Sequence, residues 1–554
     1  ATNAGVSLTL APLYERLVGE ARPPLAILLG TVALLLLIAC ANVANLMLAR
    51  TTVREREMAI RAALGAGRAR LVRQLLTESV TLAVAGGVLG LLVTMWGIDL
   101  LPSALEARLP RADGIRVDRA VFAFTIGATL LTGILFGLAP ALQTSAGSPR
   151  SLKDGGRGVS SGSRGRRLRR GITIIETALA VIVLVGAGLL ARSYLSLTAR
   201  DPGFTPAHLL SFNVQFVSLP DQAARVQAAA QLIDTLVQLP GVEAAGAATG
   251  LPPGTPQRGT RFAIDGLTLT ANRDNALFIA TTADYFKALG TPVLQGRAVD
   301  RRDAAGGAPV VVINRTLAKQ LFPDGTAVGR RLKLVNPEQS GEWRTVVGVV
   351  GDIKYQGLAQ EAAPTIYSPF AQTPFMWLYV LVRTPSGTEP LLRTLRSAVP
   401  TVHPSLTAAN LRTMDHILAQ SVAEPRFNMI LVGGFAVLAL VLAAMGVYGV
   451  IAYSVAQRRH EIGVRLALGA GRRDVLRLVI GEGLGMAIIG VTLGILGAAA
   501  LARVIAAMLF GVTPRDPVTF AAGAASLLAV SLIASYIPAR RATRVEPVTA
   551  LRAD

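Results

Sequence analysis

Seven stretches of about 20 or more mostly apolar residues constrain this chain more than any other feature. They lie at about 24–48, 76–101, 120–142, 172–195, 427–453, 478–502 and 518–537. A helix needs about 20 such residues to cross a hydrocarbon layer about 30 Å thick. Between the fourth and fifth stretches lies a long segment of mixed polarity, which is large enough to fold as a domain. We therefore predict a polytopic α-helical membrane protein with about seven transmembrane helices and one large domain outside the bilayer.

The distribution of basic residues predicts how these helices are oriented. The chain has 55 Lys and Arg against 34 Asp and Glu, a formal net charge of +21. The excess falls beside the apolar stretches, at 49–74, 143–171, 454–474 and 539–554. Because short basic loops stay in the cytoplasm, we place residues 1–23 and the large domain on the extracytoplasmic side. This pattern indicates a multi-pass protein of the bacterial cytoplasmic (inner) membrane that contacts the lipid bilayer, and it does not indicate nucleic-acid binding.

Catalytic and metal-binding patterns are not visible in the sequence. The single cysteine, Cys40, excludes an intramolecular disulfide framework, and the four histidines are scattered. Nothing matches G-x-x-x-x-G-K-[ST], so the chain has no P-loop for nucleotide phosphates. We read Asp352, and Asp300 near Asp303, as solvated turn acids rather than catalytic groups. We therefore expect no enzymatic activity, no directly bound cofactor and no metal.

Two groups of apolar stretches read as copies of one unit. Residues 57–68 match 461–472 at an offset of 404, and the register holds without a gap to residues 90 and 494. About 14 of the 34 paired positions are identical, which is far more than composition would give. Pro140 and Pro538, each followed by alanine, close the two copies. Each copy has the order span, basic loop, span, outer loop, span and basic tail.

The repeat predicts the domain organisation. We expect 1–23 as the end of a first extracytoplasmic domain, 24–142 as a first three-helix unit, 143–171 as a flexible basic cytoplasmic linker, 172–195 as a further transmembrane helix, 196–426 as the large extracytoplasmic domain, 427–538 as a second three-helix unit and 539–554 as a basic cytoplasmic tail. The chain therefore reads as the back half of one unit followed by a complete unit. We expect that an upstream part is missing.

The large domain shows mixed α/β patterning. Runs rich in β-branched and aromatic residues predict strands at 209–217, 277–281, 310–313, 345–350 and 378–382. Helical patterns cover 221–239 and 314–322, and each stops at or just before a proline-containing turn. The predicted class of this domain is α+β or α/β.

The repeated cytoplasmic segment predicts a short helix with one functional side. The first copy places Glu57, Ile60, Arg61 and Leu64 on one side of two helical turns, and the second copy places Glu461, Val464, Arg465 and Leu468 in the same positions. Gly65 and Gly469 then form the turn that ends each helix. Such a stripe can dock in a groove of a partner. The alternative is that the arginines only enforce topology and pair locally with the glutamates four residues before them.

The motifs taken together resemble those of the MacB/FtsX superfamily of ABC transporter permeases, and more closely the duplicated permeases that carry two units in one chain. The segments that carry this resemblance are 37–45, 57–67, 140–141, 448–449, 461–471 and 538–542, and in the large domain 201–204, 240–242, 296–297, 348–352 and Tyr367. They cover almost the whole length. The departure from a full duplicated permease is that a first span and most of a first outer domain would precede residue 1.

This resemblance implies a permease subunit that works with a separate cytoplasmic ABC ATPase dimer, on which ATP and Mg²⁺ bind. It implies FtsX-like membrane units and a MacB-like periplasmic core domain, and we expect the paired short helices to transmit motion from the ATPase for export or efflux. A periplasmic adaptor or an outer-membrane conduit is a further implied partner.

Three other functions remain open from the sequence. A non-transporting, FtsX-like device would use ATP hydrolysis to regulate an extracytoplasmic partner, and lipoprotein handling is a related alternative. An ion-coupled carrier would need ionisable groups near the middle of the bilayer. Glu78, Glu176 and Glu482 lie toward the cytoplasmic ends of their helices, where we expect them to cap helices or pair with basic loop residues.

Overall fold

The computed structural model describes residues 22–53, 68–100, 118–145, 160–255, 258–266, 274–323, 325–335, 341–385, 387–469 and 471–543. The chain divides into two compact units. One contains Ala1–Tyr194 and Pro425–Asp554, and the other contains Leu195–Glu424.

Four long helices precede the large domain. They are α1 Arg22–Val53, α2 Arg68–Leu100, α3 Arg119–Ser145 and α4 Ser160–Thr198. The prediction of a flexible linker over 143–171 is wrong for its second part, because α4 already begins at Ser160. Arginine is a good helix former, and the arginine-rich run before the apolar stretch contains no proline, so the helix extends beyond the apolar residues. Residues 146–159 lie outside the described part of the chain.

The large domain is built from eleven strands and five helices within its described ranges. In chain order these are β1 Leu209–Gln215, α5 Gln222–Val237, β2 Ala244–Ala248, β3 Arg258–Ile264, β4 Asn275–Thr281, α6 Tyr285–Leu289, β5 Val293–Gly296, β6 Val310–Asn314, α7 Arg315–Leu321, β7 Arg331–Leu334, β8 Trp343–Val350, β9 Thr365–Pro369, β10 Trp377–Arg383, α8 Glu389–Val402, β11 Ala409–Thr413 and α9 Met414–Ser421. All five predicted strands and both predicted helices are confirmed.

The strands form one extended pairing network. Its order is β11-β1-β10-β2-β4-β3-β7-β8-β6-β9, and β9 also pairs in parallel with β4, so six strands close into a ring. Strand β5 pairs with β8 beside β7. Apart from the parallel pairs β6–β8 and β4–β9, the pairings are antiparallel, which makes the domain α+β.

Three apolar cores stabilise the described part of this domain, and one of them surrounds α6 and includes Tyr285 and Tyr367. Helices α5 and α8 cover β1, β2 and β10, and their buried residues include Leu232, Leu236 and Leu395. The side chain of Asp221 accepts a hydrogen bond from Ala224 N at 3.1 Å and caps the start of α5. The closed ring encloses a separate core that includes side chains from β3, β6, β7 and β8. Burial therefore alternates along the first part of β8: Arg344, Val346 and Gly348 are buried, and the residues between them are only partly buried.

The chain returns to long helices after the domain. These are α10 Ala423–Gln457, α11 Arg459–Ala467, α12 Arg472–Ile505 with a 3₁₀ turn at Ala506–Met508, and α13 Pro517–Ala542. Among the described residues, six helices are long and apolar enough to cross a membrane, and Arg119–Ile134 is a shorter apolar segment within α3. The predicted polytopic helical membrane protein with a large extracytoplasmic domain is therefore confirmed, and the third apolar stretch, 120–142, contains that shorter segment.

Glycines bring α12 into close contact with α4. A Cβ atom at Gly490 would lie 2.6 Å from Thr177 Cβ, and one at Gly494 would lie 2.6 Å from Val181 Cβ. Gly497 meets the side chain of Ile182 in the same way. Small residues let membrane helices approach closely. These three glycines therefore allow α12 to pack closely against α4.

Among the glycines of the first copy and of α4, some lie close to a neighbouring helix and others do not. A Cβ atom at Gly87 would lie 2.7 Å from Thr129 Oγ1, and one at Gly188 would lie 2.7 Å from Thr519 Cγ2. Within the described part of the chain, however, nothing lies within 4 Å of a Cβ built on Gly86, Gly90 or Gly186. At these three positions no described neighbouring helix approaches the glycine closely.

Candidate coupling surface at the cytoplasmic end of the helical unit

Helix α11 lies between two long helices and has distinct buried and exposed sides. Ile462 is 4% exposed and packs against an apolar cluster that includes Val447, Ile451 and Val479. Leu466, one turn later, packs against the same cluster. These contacts hold one side of α11 against the helical bundle, so the opposite side is free to face a partner.

The predicted stripe lies on that opposite side. Glu461, Arg465 and Leu468 are exposed and Val464 is half-buried. Leu468 is 83% exposed, the highest value among the large apolar side chains that the structure describes. Arg465 Nη2 lies 2.7 Å from Glu461 Oε1, so the local pairing considered as the alternative does form. An exposed pair of this kind stabilises a helix by only about 0.3–0.5 kcal/mol, so a partner can replace it at little cost.

The end of α11 needs a glycine. Gly469 has φ +96°, a left-handed conformation that glycine adopts without strain. Its backbone N–H donates to Leu466 O at 3.2 Å, and Leu468 N donates to Val464 O at 2.9 Å. The prediction that Gly469 forms the turn at the end of the short helix is confirmed. This sharp end is what leaves the Leu468 side chain projecting beyond the last helical turn.

An ionic anchor lies at the start of α11, and only the pairing of Glu482 with basic residues was predicted from the sequence. Glu482 of α12 forms an ion pair with Arg170 of α4, and its Oε2 lies 3.5 Å from Arg458 Nη1. Ser454 of α10 donates to the same carboxylate at 3.3 Å. Arg458, which directly precedes α11, also lies 3.9 Å from Glu461. The Glu482 carboxylate of α12 thus contacts α4, α10 and Arg458, the residue that directly precedes α11.

The expectation for Glu482, a pair with basic residues, is therefore confirmed, whereas the same expectation for Glu176 is wrong. Glu176 of α4 is fully buried, and Asn42 of α1 donates to its Oε1 at 2.5 Å. Asn42 also donates to Leu442 O at 2.8 Å. A Cβ atom at Gly446 would lie 2.3 Å from Glu176 Oε2, so that glycine makes room for the carboxylate. Glu176 points into the bundle rather than toward the basic loops.

The first copy of the coupling stripe lies outside the described residues. Its members Glu57, Ile60, Arg61, Leu64 and Gly65 therefore stay a prediction. The structure also does not bring together a metal site: within the described ranges, no group of three or more His, Cys, Asp or Glu side chains could hold a metal ion.

The acids considered in the large domain are structural. Asp303 is buried, and Arg297 donates to both of its carboxylate oxygens at 2.7 Å. The reading of Asp303 as a solvated acid is wrong, because its partner arginine lies six residues earlier and folds back over it. Arg302 donates to Asp300 at 2.5 Å and thereby lowers the pKa of that carboxyl.

Asp352 is held in a similar way. Its Oδ1 accepts hydrogen bonds from Asn314 Nδ2 at 2.8 Å and from Thr316 N at 2.9 Å. Through these bonds Asp352 links the end of β8 to the start of α7. It reads as a structural acid of the domain.

The sequence contained one signal for the ionic anchor. Glu78 and Glu482 occupy equivalent positions in the internal repeat, and Arg73 and Arg477 do so as well. A charged residue retained in both copies of an otherwise apolar helix indicates a partner. The identity of that partner could not be read from the sequence, because Arg170 is separated from Glu482 by 312 positions.

The chain combines membrane-spanning helices, a short exposed cytoplasmic helix and an α+β domain inserted in the sequence between two groups of helices. This combination is that of a membrane permease. The profile of the MacB-like periplasmic core domain matches residues 171–398. The profile of the FtsX-like permease C-terminal domain matches residues 29–149 and 433–547. These matches fall on the large domain with its flanking helices and on the two groups of helices.

Curated relatives agree with this class. The uncharacterized ABC transporter permease YvrN of Bacillus subtilis is 30% identical over 49% of this chain and 68% of its own length. The macrolide export ATP-binding/permease protein MacB of Marinobacter nauticus is 26% identical over 51% of this chain and 44% of its own length. The crystal structure of the periplasmic region of MacB from Actinobacillus actinomycetemcomitans is 16% identical, with a TM-score of 0.28, and covers 40% of this chain and 95% of that chain.

The chain belongs to the MacB/FtsX superfamily of ABC transporter permeases. It spans less than half of the length of the MacB relative from Marinobacter nauticus. As a member of this family with membrane-spanning helices and a periplasmic core domain, it is a multi-pass protein of the inner membrane with its large domain on the extracytoplasmic side.

Proposed function

We propose that this chain is the permease subunit of an ABC transporter, in which a separate cytoplasmic ATPase dimer drives movement of the extracytoplasmic domain for export or efflux. The observation that carries the proposal is the exposed stripe on α11, with Leu468 projecting from a helix whose other side is packed against the bundle. An apolar side chain held out on a rigid helix is suited to a hydrophobic groove. The first copy of the stripe, with Leu64, would present the same surface to the second ATPase subunit.

The ionic anchor offers a path for the motion. A displacement of α11 would move Arg458, which is paired with Glu482, and Glu482 is paired with Arg170 of α4. Helix α4 leads along the chain into the extracytoplasmic domain, and α10 leads out of it. The close glycine contacts between α12 and α4 would make these two helices move together. In this scheme the chain needs no nucleotide site of its own, and ATP with Mg²⁺ binds only to the ATPase.

The relatives support export as the process. The names of the MacB relatives describe macrolide export, and that of another relative, PvdT of Pseudomonas syringae pv. tomato, describes pyoverdine export. By analogy we propose that an amphiphilic or large polar compound is moved on the extracytoplasmic side, with a periplasmic adaptor or an outer-membrane conduit as a further partner.

Co-expression with an ATPase tests the proposal. Leu64→Asp combined with Leu468→Asp should abolish co-purification, because burying a leucine contributes about 1.5–3 kcal/mol and a buried unpaired carboxylate costs more. Ala467→Asp is the matched control, since Ala467 is exposed on the same helix but lies off the stripe. Unchanged co-purification of the double variant would reject the docking role.

A further inference from the structure

A cavity of about 640 Å³ lies within the helical unit among α1, α4, α10 and α13. Most of its wall is apolar and comes from membrane-spanning helices, including Leu440, Val441 and Met445 of α10 and Val530 and Ile533 of α13. Lipid is the medium that surrounds these helices. The cavity is therefore of a size and character to accept part of a lipid molecule.

One end of the cavity is polar and cationic. Asn42 and Asn45 of α1 line it together with Arg169 of α4. The Arg169 side chain is buried at 4% exposure, and its guanidinium lies 4.0 Å from the centre of the Tyr453 ring. Arg169 belongs to the basic run that marks the cytoplasmic end of α4, so this end of the cavity lies at the level of the inner lipid head groups.

Among the described residues that line the cavity, Arg169 is the only one with a formal charge. No Asp or Glu is among the described residues that line it. Glu176 is not among the lining residues, although it accepts a hydrogen bond from Asn42 and abuts Gly446, which both line the cavity. A guanidinium is a strong bidentate partner for phosphate, and its attraction grows where water is excluded. The polar end therefore complements a phosphodiester better than a neutral group.

A second cavity in the same unit provides a contrast. It has a volume of about 390 Å³ and is lined by apolar residues of α1, α4, α10 and α12, with Thr31 as a polar group and without a cation among its described lining residues. Lipid tails are as apolar as such walls, so an apolar wall alone gives little preference for any lipid. Selectivity for an anionic lipid is therefore expected only where Arg169 is present.

We propose that the larger cavity binds an anionic phospholipid of the cytoplasmic leaflet, with its phosphate paired to Arg169 and an acyl chain lying between α10 and α13. The site is independent of the coupling surface and of the ATPase. Basic pockets between transmembrane helices on the cytoplasmic side have the chemistry to hold such head groups. The bound lipid would bridge α4 to α10 and α13, filling space that these helices leave between them.

Native mass spectrometry of the purified full chain tests the site. The protein in mild detergent is mixed with phosphatidylglycerol or phosphatidylcholine, and retained lipid is counted. Arg169→Gln should lower phosphatidylglycerol binding at least about tenfold, which corresponds to about 1.4 kcal/mol, and leave phosphatidylcholine unchanged. Arg167→Gln is the matched control, because Arg167 is exposed two residues earlier on the same helix. Inorganic phosphate in excess should not displace the lipid.

A second pair of variants tests the apolar part and covers the case in which Arg169→Gln does not fold. Gly449 lines the cavity, and a Cβ there meets nothing within 4 Å of the described residues. Gly449→Leu should obstruct part of the cavity and lower phosphatidylglycerol retention. Gly434→Leu, on the same helix and equally open but away from both cavities, should retain lipid. Equal phosphatidylglycerol retention by the variants of either pair, or equal binding of the two lipids by the unaltered chain, would overturn the proposal.

Discussion

A close helix contact in the membrane unit can be tested by adding one methyl group at two repeat-equivalent positions. Gly494 of α12 and Gly90 of α2 occupy the same place in the internal repeat. A Cβ atom at Gly494 would lie 2.6 Å from Val181 Cβ and 2.8 Å from Ala178 O. At Gly90, nothing described lies within 4 Å of the added atom. Gly494→Ala and Gly90→Ala therefore make the same chemical change in two different surroundings.

The expected magnitudes follow from the two distances. Carbon atoms in favourable contact lie about 3.5–4.0 Å apart, so α4 and α12 must separate by roughly 1 Å to accept the methyl group at Gly494. Overpacking of this kind costs about 1–3 kcal/mol. Both substitutions gain about 1 kcal/mol from the higher helix propensity of alanine. Gly90→Ala should therefore stabilise the chain slightly, and Gly494→Ala should be less stable than Gly90→Ala by about 1–3 kcal/mol.

Unfolding in mixed micelles, followed by circular dichroism at increasing fractions of a denaturing detergent, measures this difference. The helix-propensity gain cancels between the two variants, so the remaining difference reports the contact between α12 and α4. An equal shift of the unfolding midpoint in both variants would refute the reasoning. A cysteine-free background, Cys40→Ala, serves as the common reference and removes thiol oxidation as a source of error.

Three further outcomes are expected. Glu482→Gln should destabilise the chain by about 1–3 kcal/mol. Arg458→Gln should cost less in the Glu482→Gln background than it does alone, because the two side chains are paired. Additive shifts of the unfolding midpoint in the double variant would exclude this coupling. Gly246→Ala should destabilise the large domain by about 1–3 kcal/mol, because the added Cβ would lie 2.5 Å from the backbone atom Tyr285 Cα, which cannot move aside. The domain should then be cut faster in limited proteolysis, and an unchanged rate would contradict this. Asp303→Asn should lower the thermal midpoint, since its two-pronged arginine contact weakens, and an unchanged midpoint would count against that contact.

Strand β2 shows where local sequence information was insufficient in the large domain. Its sequence, Ala-Ala-Gly-Ala-Ala, has low β-propensity and was not predicted as a strand. The strand forms because it lies between β10 and β4, and because α6 packs on it so closely that Gly246 has no room for a side chain. The helix α5, in contrast, was predictable from its own apolar spacing and its capping aspartate.

The coupling surface, too, could be predicted from the sequence only in part. The exposed stripe of Glu461, Arg465 and Leu468 could be predicted, because a helical period and an internal repeat are visible in the sequence alone. The anchor could not be predicted in full, since Arg170 and Glu482 are distant in sequence and either could have paired with another charged residue. The buried position of Glu176 was also hidden, because it depends on Asn42 of a helix from the other copy.

The sequence by itself determined which segments enter the membrane, which side the basic loops occupy and which short helix carries the repeated stripe. These follow from hydropathy, charge and periodicity, which are summed along a local stretch of chain. Only the tertiary structure decided which glycines are packed, which acids are paired and where a cationic cavity lies. Those properties depend on atoms from helices that are far apart in the chain, and residue types alone do not say which helices meet.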